Sequence, residues 1–186
     1  MTPLVLASAS PQRRAILEQL GVEFEVAEPH VEEIGAGDPR AVVVENALRK
    51  ARSIREATAD RRVLGVDTEV ALAGRIYGKP GDEEEARAFL GELGGREHQV
   101  WSGLALIGAD GGERTATAVT SVRFRRLECP NLDWYLASDE WRGRAGGYAI
   151  QGRGAALVER IEGDYWNVVG LPVAALARLA PEHFRL

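Results

Sequence analysis

The side chains best suited to chemistry in this chain are carboxylates that lie beside apolar sequence. Asp67 stands in Gly-Val-Asp-Thr, inside an apolar run from Arg62 to Leu72. A carboxylate buried in such a run costs free energy unless a partner compensates its charge. Asp67 is therefore either a metal ligand or general base, or a residue that forms a turn or cap. Glu32 and Glu33 are adjacent acids which, taken alone, have the pattern of ordinary surface charge.

A second group of residues has the donors that a phosphate requires. The stretch LASASPQRRAIL, residues 6–17, passes from an apolar strand-like run into a helical pattern. The start of a helix presents unpaired N–H groups to an anion. Ser8, Ser10 and Arg13 would add hydroxyl and guanidinium donors at that point. The alternative is a capped helix whose arginines face solvent.

Two lysines extend this group of cations. Lys50 lies at the edge of a predicted apolar helical arc, and it either reaches past the arc to water or points into a cleft. Lys79, in Tyr-Gly-Lys-Pro, follows a turn and alone indicates little. The residues predicted to form the apolar arc are Val43, Val44, Ala47, Leu48, Ala51 and Ile54.

Carboxylates and cations together are the groups needed for metal-assisted attack on a phosphate ester. Hard oxygen ligands hold magnesium, and cations neutralise the charge of the phosphates. The sequence has no Walker-type loop, no Gly-x-Ser-x-Gly segment and no His/Cys metal-binding spacing. Gln151 lies among glycines, where its amide would either read the edge of a base or bond to a loop backbone.

The elements that must position these residues alternate between helical and strand-like patterns, which predicts an α/β fold. Ser10 is expected to cap the first helix and Gly21 to end it, while the second helix should reach about Thr58. The expected helices begin near Pro11, Pro39, Gly81, Asn131 and Pro172. The expected strands are residues 4–7, 62–72, 98–107 and 114–127, the last two joined by Ala-Asp-Gly-Gly.

Bulk composition excludes several classes of protein. The net charge of −5 argues against a nucleic-acid-binding protein that works through bulk positive charge. Cys129 is the only cysteine, which excludes an intramolecular disulfide and a multi-cysteine metal site. No apolar run approaches the ~18 residues of a membrane span. We therefore expect a soluble, cytoplasmic protein with neither a nucleic-acid nor a membrane partner.

The motifs, taken together, resemble those of the Maf family of nucleotide pyrophosphatases over essentially the full length. The matching segments, in order, are LASASPQRR, VEE at 31–33, NALRKA, GVDT, YGKP, HQVWSG, AGGYAIQGRG and EGDYWNVVGLP. The resemblance implies hydrolysis of a nucleoside triphosphate to the monophosphate and pyrophosphate, with a divalent cation such as Mg²⁺, Mn²⁺ or Co²⁺. It also implies one domain over residues 1–186 and a homodimer. The implied fold is an elongated mixed sheet flanked by helices in two lobes with a central cleft, related to inosine triphosphate pyrophosphatases.

The resemblance also implies a role for individual residues. Asp67 matches the proton acceptor that activates water, and Glu33 matches an acid that holds the metal together with Asp67. The remaining matches are Lys50 and Lys79 among the catalytic residues, Ser8, Ser10 and Arg13 as phosphate-binding residues, and Gln12, Thr68 and Gln151 as residues that select the base.

Substrate preference is indicated by AGGYAIQG, which resembles the form found in members that act on dTTP and UTP. The alternatives are a pyrophosphatase of the 7-methyl-GTP type and a non-catalytic nucleotide-binding regulator of cell division. Two residues depart from the family pattern. Gln12 stands where an arginine is usual. Glu69 stands where an apolar residue is commoner, and it is either a further metal ligand or a charge that raises the pKa of Asp67.

Overall fold

The computed structural model describes residues 3–58 and 60–184. The strands are β1 (Leu4–Ala7), β2 (Phe24–Ala27), β3 (Val63–Leu72), β4 (Arg75–Tyr77), β5 (Glu97–Ile107), β6 (Glu113–Phe124) and β7 (Val158–Glu162). The helices are α1 (Pro11–Gln19), α2 (Pro39–Arg55), α3 (Glu83–Leu93), α4 (Cys129–Leu136), α5 (Tyr165–Val169) and α6 (Val173–Leu179), with short 3₁₀ turns between some of them.

Within these described residues the strands form one mixed sheet of seven strands, in the order β2-β1-β3-β5-β6-β7, with β4 paired to β3. Strand β1 runs parallel to β2 and β3, as expected for strands joined through helices. The remaining pairs are antiparallel. The predicted mixed α/β sheet flanked by helices is therefore confirmed.

Helix α2 lies unusually close to one face of the sheet because two glycines face it. A Cβ placed on Gly65 of β3 would collide with the carbonyl of Ala47, and one on Gly103 of β5 would collide with that of Val43. Asp38 is the N-cap that precedes the helix, and its side chain accepts a hydrogen bond from the Ala41 N–H. The sequence thus brings the backbone of α2 directly onto β3 and β5.

Three groups of buried apolar residues pack around the sheet. One lies between α2 and the sheet, and a second lies on the opposite face with α1 and α6. A third includes Val70 of β3 together with apolar residues of α3 and α4. Along β3, Asp67 lies between Val66 of the second group and Val70 of the third. The centre of β3 is consequently the place where a polar site can lie between apolar cores.

The observed elements agree with most of the predicted ones. Helices α1, α2, α3 and α6 begin where the cap signals place them, and β5 and β6 are joined as predicted. The short elements β2, β4, β7 and α5 were not predicted. None of the helices in the described part of the chain combines the length and the apolarity needed to cross a bilayer.

Two local predictions are wrong. Ser10 precedes α1 but its side chain does not cap the helix; its hydroxyl donates instead to Gln12 Oε1 at 3.2 Å. The buried arc of α2 is also rotated from the predicted one, because Asn46 and Lys50 lie inside it whereas Val44 and Leu48 are only half-buried. Asn46 and Lys50 form polar contacts with Asp67 of β3, and these contacts turn this face of the helix toward the sheet. The spacing of apolar residues does not reveal such contacts.

Candidate active site

The centre of the site is a lysine held between two carboxylates. Asp67 occupies the middle of β3 and is only 2% exposed, and Lys50, from α2, is only 4% exposed. The Lys50 Nζ lies 2.6 Å from Asp67 Oδ1 and 2.7 Å from Glu33 Oε1. Lys50 therefore points into the protein rather than out to water. Its positive charge compensates the buried carboxylate of Asp67, since unpaired charges are rarely buried.

Asn46 completes the hydrogen bonding of Asp67. Its Nδ2 donates to Asp67 Oδ2 at 3.0 Å and to the carbonyl of Ile34 at 3.0 Å. Its Oδ1 accepts a bond of 2.8 Å from the Ile34 amide N–H. Asn46 and Lys50 lie four residues apart on α2, so both face β3. The amide thus joins Asp67 to the loop that carries Glu33, a role that the sequence analysis did not assign to it.

Glu33 lies between two cations at the edge of this centre. Lys79 Nζ is 3.5 Å from Glu33 Oε2, on the side away from Lys50. Burial alone would raise the pKa of Glu33, but the charges and hydrogen bonds of Lys50 and Lys79 outweigh it and hold the pKa below its ordinary value. Lys79 itself is half exposed. It is therefore free to move toward a ligand that enters from solvent.

Glu69 adds a third carboxylate to the same place. It lies two residues after Asp67 on the same face of β3 and is buried. Burial raises its pKa to about 8, and the negative charges of Asp67 and Glu33 add to the rise. One oxygen from each of Glu33, Asp67 and Glu69 lies within 4.8 Å of the others. A divalent cation with oxygen ligands at 2.0–2.6 Å spans separations of about 4–5 Å, so this donor set fits such a cation.

Arg13 ties three distant segments together beside these carboxylates. Its Nε donates to the carbonyl of Gly170 at 3.0 Å, Nη1 to Ser8 Oγ at 3.0 Å and Nη2 to Thr68 Oγ1 at 3.2 Å. Burial lowers its pKa, although the nearby carboxylates oppose the shift. A guanidinium has five N–H donors. Three of them are used in these bonds, and the other two have no partner among the contacts of the described residues.

All ten residues assigned to the site by sequence line one cleft of about 340 Å³. The cleft also contacts Arg144 and Tyr148 of the glycine-rich segment, which the sequence analysis did not single out. The assigned residues are Ser8, Ser10, Gln12, Arg13, Glu33, Lys50, Asp67, Thr68, Lys79 and Gln151. The carboxylates and the phosphate-binding candidates thus meet in a single space.

A family model described as Maf-like protein matches residues 3–183. The chain belongs to the Maf family. A protein of Symbiobacterium thermophilum named dTTP/UTP pyrophosphatase is 46% identical to it over 175 residues, which is 93% of this chain and 90% of that protein. A Bacillus cereus (strain ATCC 10987) protein of the same name is 44% identical over 182 residues, or 96% of this chain and 88% of its own length.

The fold of this Maf family member is similar to that of a HAM1 protein from Coxiella burnetii. The two superpose with a TM-score of 0.58 at 18% sequence identity, covering 98% of this chain and 100% of the other. At such low identity the likeness shows the fold alone. It agrees with the mixed α/β architecture predicted from the sequence.

Proposed function

We propose that this Maf family member is a nucleoside triphosphate pyrophosphatase. It hydrolyses dTTP and UTP, together with modified pyrimidine triphosphates, to the monophosphate and pyrophosphate. The observation that carries the proposal is the buried Lys50 between Asp67 and Glu33, at the base of a cleft with further cations. Relatives that are 44–46% identical over nearly the whole chain bear the name dTTP/UTP pyrophosphatase.

The chemical step requires a base beside the α-phosphate. Asp67 accepts a proton from water as the water oxygen forms a bond to the α-phosphorus, and the bond to the bridging oxygen of pyrophosphate breaks. Lys50 and Asn46 each bond to one carboxylate oxygen of Asp67, and each oxygen keeps a second lone pair for this proton. The Lys50 Nζ, 2.6 Å from Asp67 Oδ1, also compensates the charge of this carboxylate.

Glu33 and Asp67 would hold the divalent cation, Mg²⁺ or alternatively Mn²⁺ or Co²⁺. When bound, the cation supplies positive charge to the phosphates and acidity to a coordinated water. Lys79 and the free N–H groups of Arg13 neutralise the departing pyrophosphate, because both border the cleft. Ser8 and Ser10 place hydroxyls at the start of α1, where a helix favours an anion.

Selection of the base is assigned to three residues that line the same cleft, Gln12, Thr68 and Gln151. The hydroxyl of Thr68 is held by Arg13 and Ser102 and is therefore fixed in position. The amide of Gln151 is exposed, so it can donate to and accept from a pyrimidine edge. Gln12 replaces a cation with an amide, which reduces the positive charge offered to the substrate. A homodimer and a cytoplasmic location stay predictions.

Incubation with Mg²⁺ and a panel of nucleoside triphosphates tests the proposal. We expect monophosphate and pyrophosphate, with dTTP and UTP turned over fastest. Orthophosphate and diphosphate as products would contradict the reaction, and a preference for 7-methyl-GTP would contradict the substrate class. Binding of nucleotide, seen as a thermal shift without turnover, would instead support a non-catalytic role.

Matched acid variants test the assignment of residues. Glu33→Gln should reduce turnover strongly, because it removes a charge that contacts Lys50 and the cation site. Glu32→Gln, at the exposed neighbouring position, should leave turnover unchanged. Asp67→Asn should abolish turnover while nucleotide binding persists. Equal loss in both glutamate variants would remove the specific role of Glu33.

A further inference from the structure

Glu69 is a buried acid that the reaction proposed above does not use, and the sequence left its role open between a metal ligand and a neighbouring charge. Glu69 is 7% exposed, and its Oε2 atom is buried without a hydrogen-bond partner among the described residues. A buried polar atom without a partner costs about 1–3 kcal/mol, and more when the group is charged. Such an atom requires an explanation. Its place in a group with Glu33 and Asp67 supplies one.

The positive charge around the centre is already committed to the other two acids. Lys50 lies 2.6 Å from Asp67 and 2.7 Å from Glu33, and Lys79 reaches Glu33. Neither lysine forms an ion pair with Glu69 among the contacts of the described chain. Glu69 is therefore the acid of the group that has no ion-pair partner among the described residues. A cation between the three carboxylates would provide it.

We propose that Glu69 is a third protein ligand of the divalent cation, so that this chain binds the cation before the nucleotide arrives. The inference rests on the proposed function, since it concerns the same metal site. Magnesium sites for nucleotides usually take one or two carboxylates and leave other positions to phosphates and water. A third carboxylate replaces one of the oxygen ligands that the phosphates would supply. The cation can therefore bind in the absence of nucleotide.

The geometry leaves room for this coordination. Lys50 and Asn46 each occupy one lone pair of an Asp67 oxygen, and a second lone pair remains on each. Glu33 belongs to a loop, and Lys79 approaches it at only 3.5 Å from a half-exposed position. Lys79 can therefore withdraw from Glu33 as a cation enters.

Titration of the nucleotide-free protein with Mn²⁺, followed by electron paramagnetic resonance and calorimetry, tests the inference. We expect the wild type to bind a single Mn²⁺ tightly enough to measure, and Glu69→Gln to weaken binding by at least about tenfold. Glu32→Gln is the matched control and should bind as the wild type does. Glu69→Leu, with an apolar side chain, should weaken Mn²⁺ binding in the same way. Thermal melts would reveal a folding defect of the glutamine variant, in which case the leucine variant provides the test.

Two results would overturn the inference: Mn²⁺ binding by Glu69→Gln equal to that of the wild type, or a wild type that binds no Mn²⁺ without nucleotide. These outcomes are separate from failure of the proposed function. A protein that binds Mn²⁺ through Glu69 yet releases orthophosphate would refute only the reaction. A protein that releases pyrophosphate and binds Mn²⁺ equally with and without Glu69 would refute only the third ligand.

Discussion

Replacing Gly103 with alanine should push α2 away from the sheet and draw Lys50 away from Asp67. Gly103 pairs directly with Asp67 across β3 and β5, so its new methyl group would lie beside the active-site carboxylate. The new Cβ would strike the carbonyl of Val43 in α2. Lys50 lies seven residues further along the same helix. The displaced helix therefore carries Lys50 with it.

The size of the effect follows from the distances. A Cβ added to Gly103 would lie 2.7 Å from Val44 N, whereas non-bonded atoms are most stable about 3.5–4.0 Å apart. Because the Val43 carbonyl lies closer still, the helix must retreat by at least about 1 Å. Overpacking of this kind costs about 1–3 kcal/mol of stability. A displacement of about 1 Å at a catalytic group costs about 10²-fold in rate.

Urea denaturation and steady-state hydrolysis of dTTP together measure this prediction. The matched control is Gly91→Ala in α3, where an added Cβ meets nothing within 4 Å. Because glycine weakens a helix, the free energy of unfolding of that control should rise by about 0.5–1 kcal/mol, and its rate of dTTP hydrolysis should equal that of the wild type. Wild-type stability and rate in Gly103→Ala would refute the idea that close approach of α2 sets the geometry of Lys50.

Three further changes probe other contacts. Burial lowers the pKa of His98 to about 4 from an ordinary 6.5, so the unfolded chain binds more protons between these values and stability is lost as the pH falls from about 6.5 to 4. The free energy of unfolding of His98→Leu, measured by urea denaturation, should lose about 3 kcal/mol less than that of the wild type over this pH range. An unchanged pH dependence in the variant would contradict this prediction. Asn46→Ala should lower kcat more than it raises KM, because Asp67 loses an orienting bond of 3.0 Å; equal effects on both constants would argue against a positioning role. Arg13→Lys should lower the melting temperature and raise KM, since an ammonium cannot reproduce the planar fork that binds Gly170.

The larger elements were predictable because their signals are local. Asp38 before Pro39 marks the start of α2, and the glycine after α1 marks its end. Strand β2 was missed because it is short and partly exposed, so it has little apolar pattern to detect. Its place is set by pairing with β1, a contact between positions about 20 residues apart. Such pairing is invisible to a pattern read along one segment.

The sequence predicted which residues lie at the candidate site, but not the hydrogen bonds and ion pairs that connect them. Motif order was enough to place Asp67, Lys50 and Lys79 together. The prediction that Lys50 lies at the edge of an apolar arc was wrong, because the polar bonds to β3 rotate that helix face inward. Asn46 was missed for the same reason. Its contribution depends on a partner 21 positions away, and nothing in its neighbouring residues signals it.

The hydrogen bond from Arg13 to the carbonyl of Gly170 joins positions that lie 157 apart in the chain. A ribosome adds about 5–20 residues per second, so roughly 8–30 s separate the synthesis of the two partners. During that interval the emerging chain has its serines and arginine but lacks the backbone that fixes them. The contacts that hold Arg13 in the candidate site are therefore incomplete until residue 170 has been synthesised and has left the ribosome.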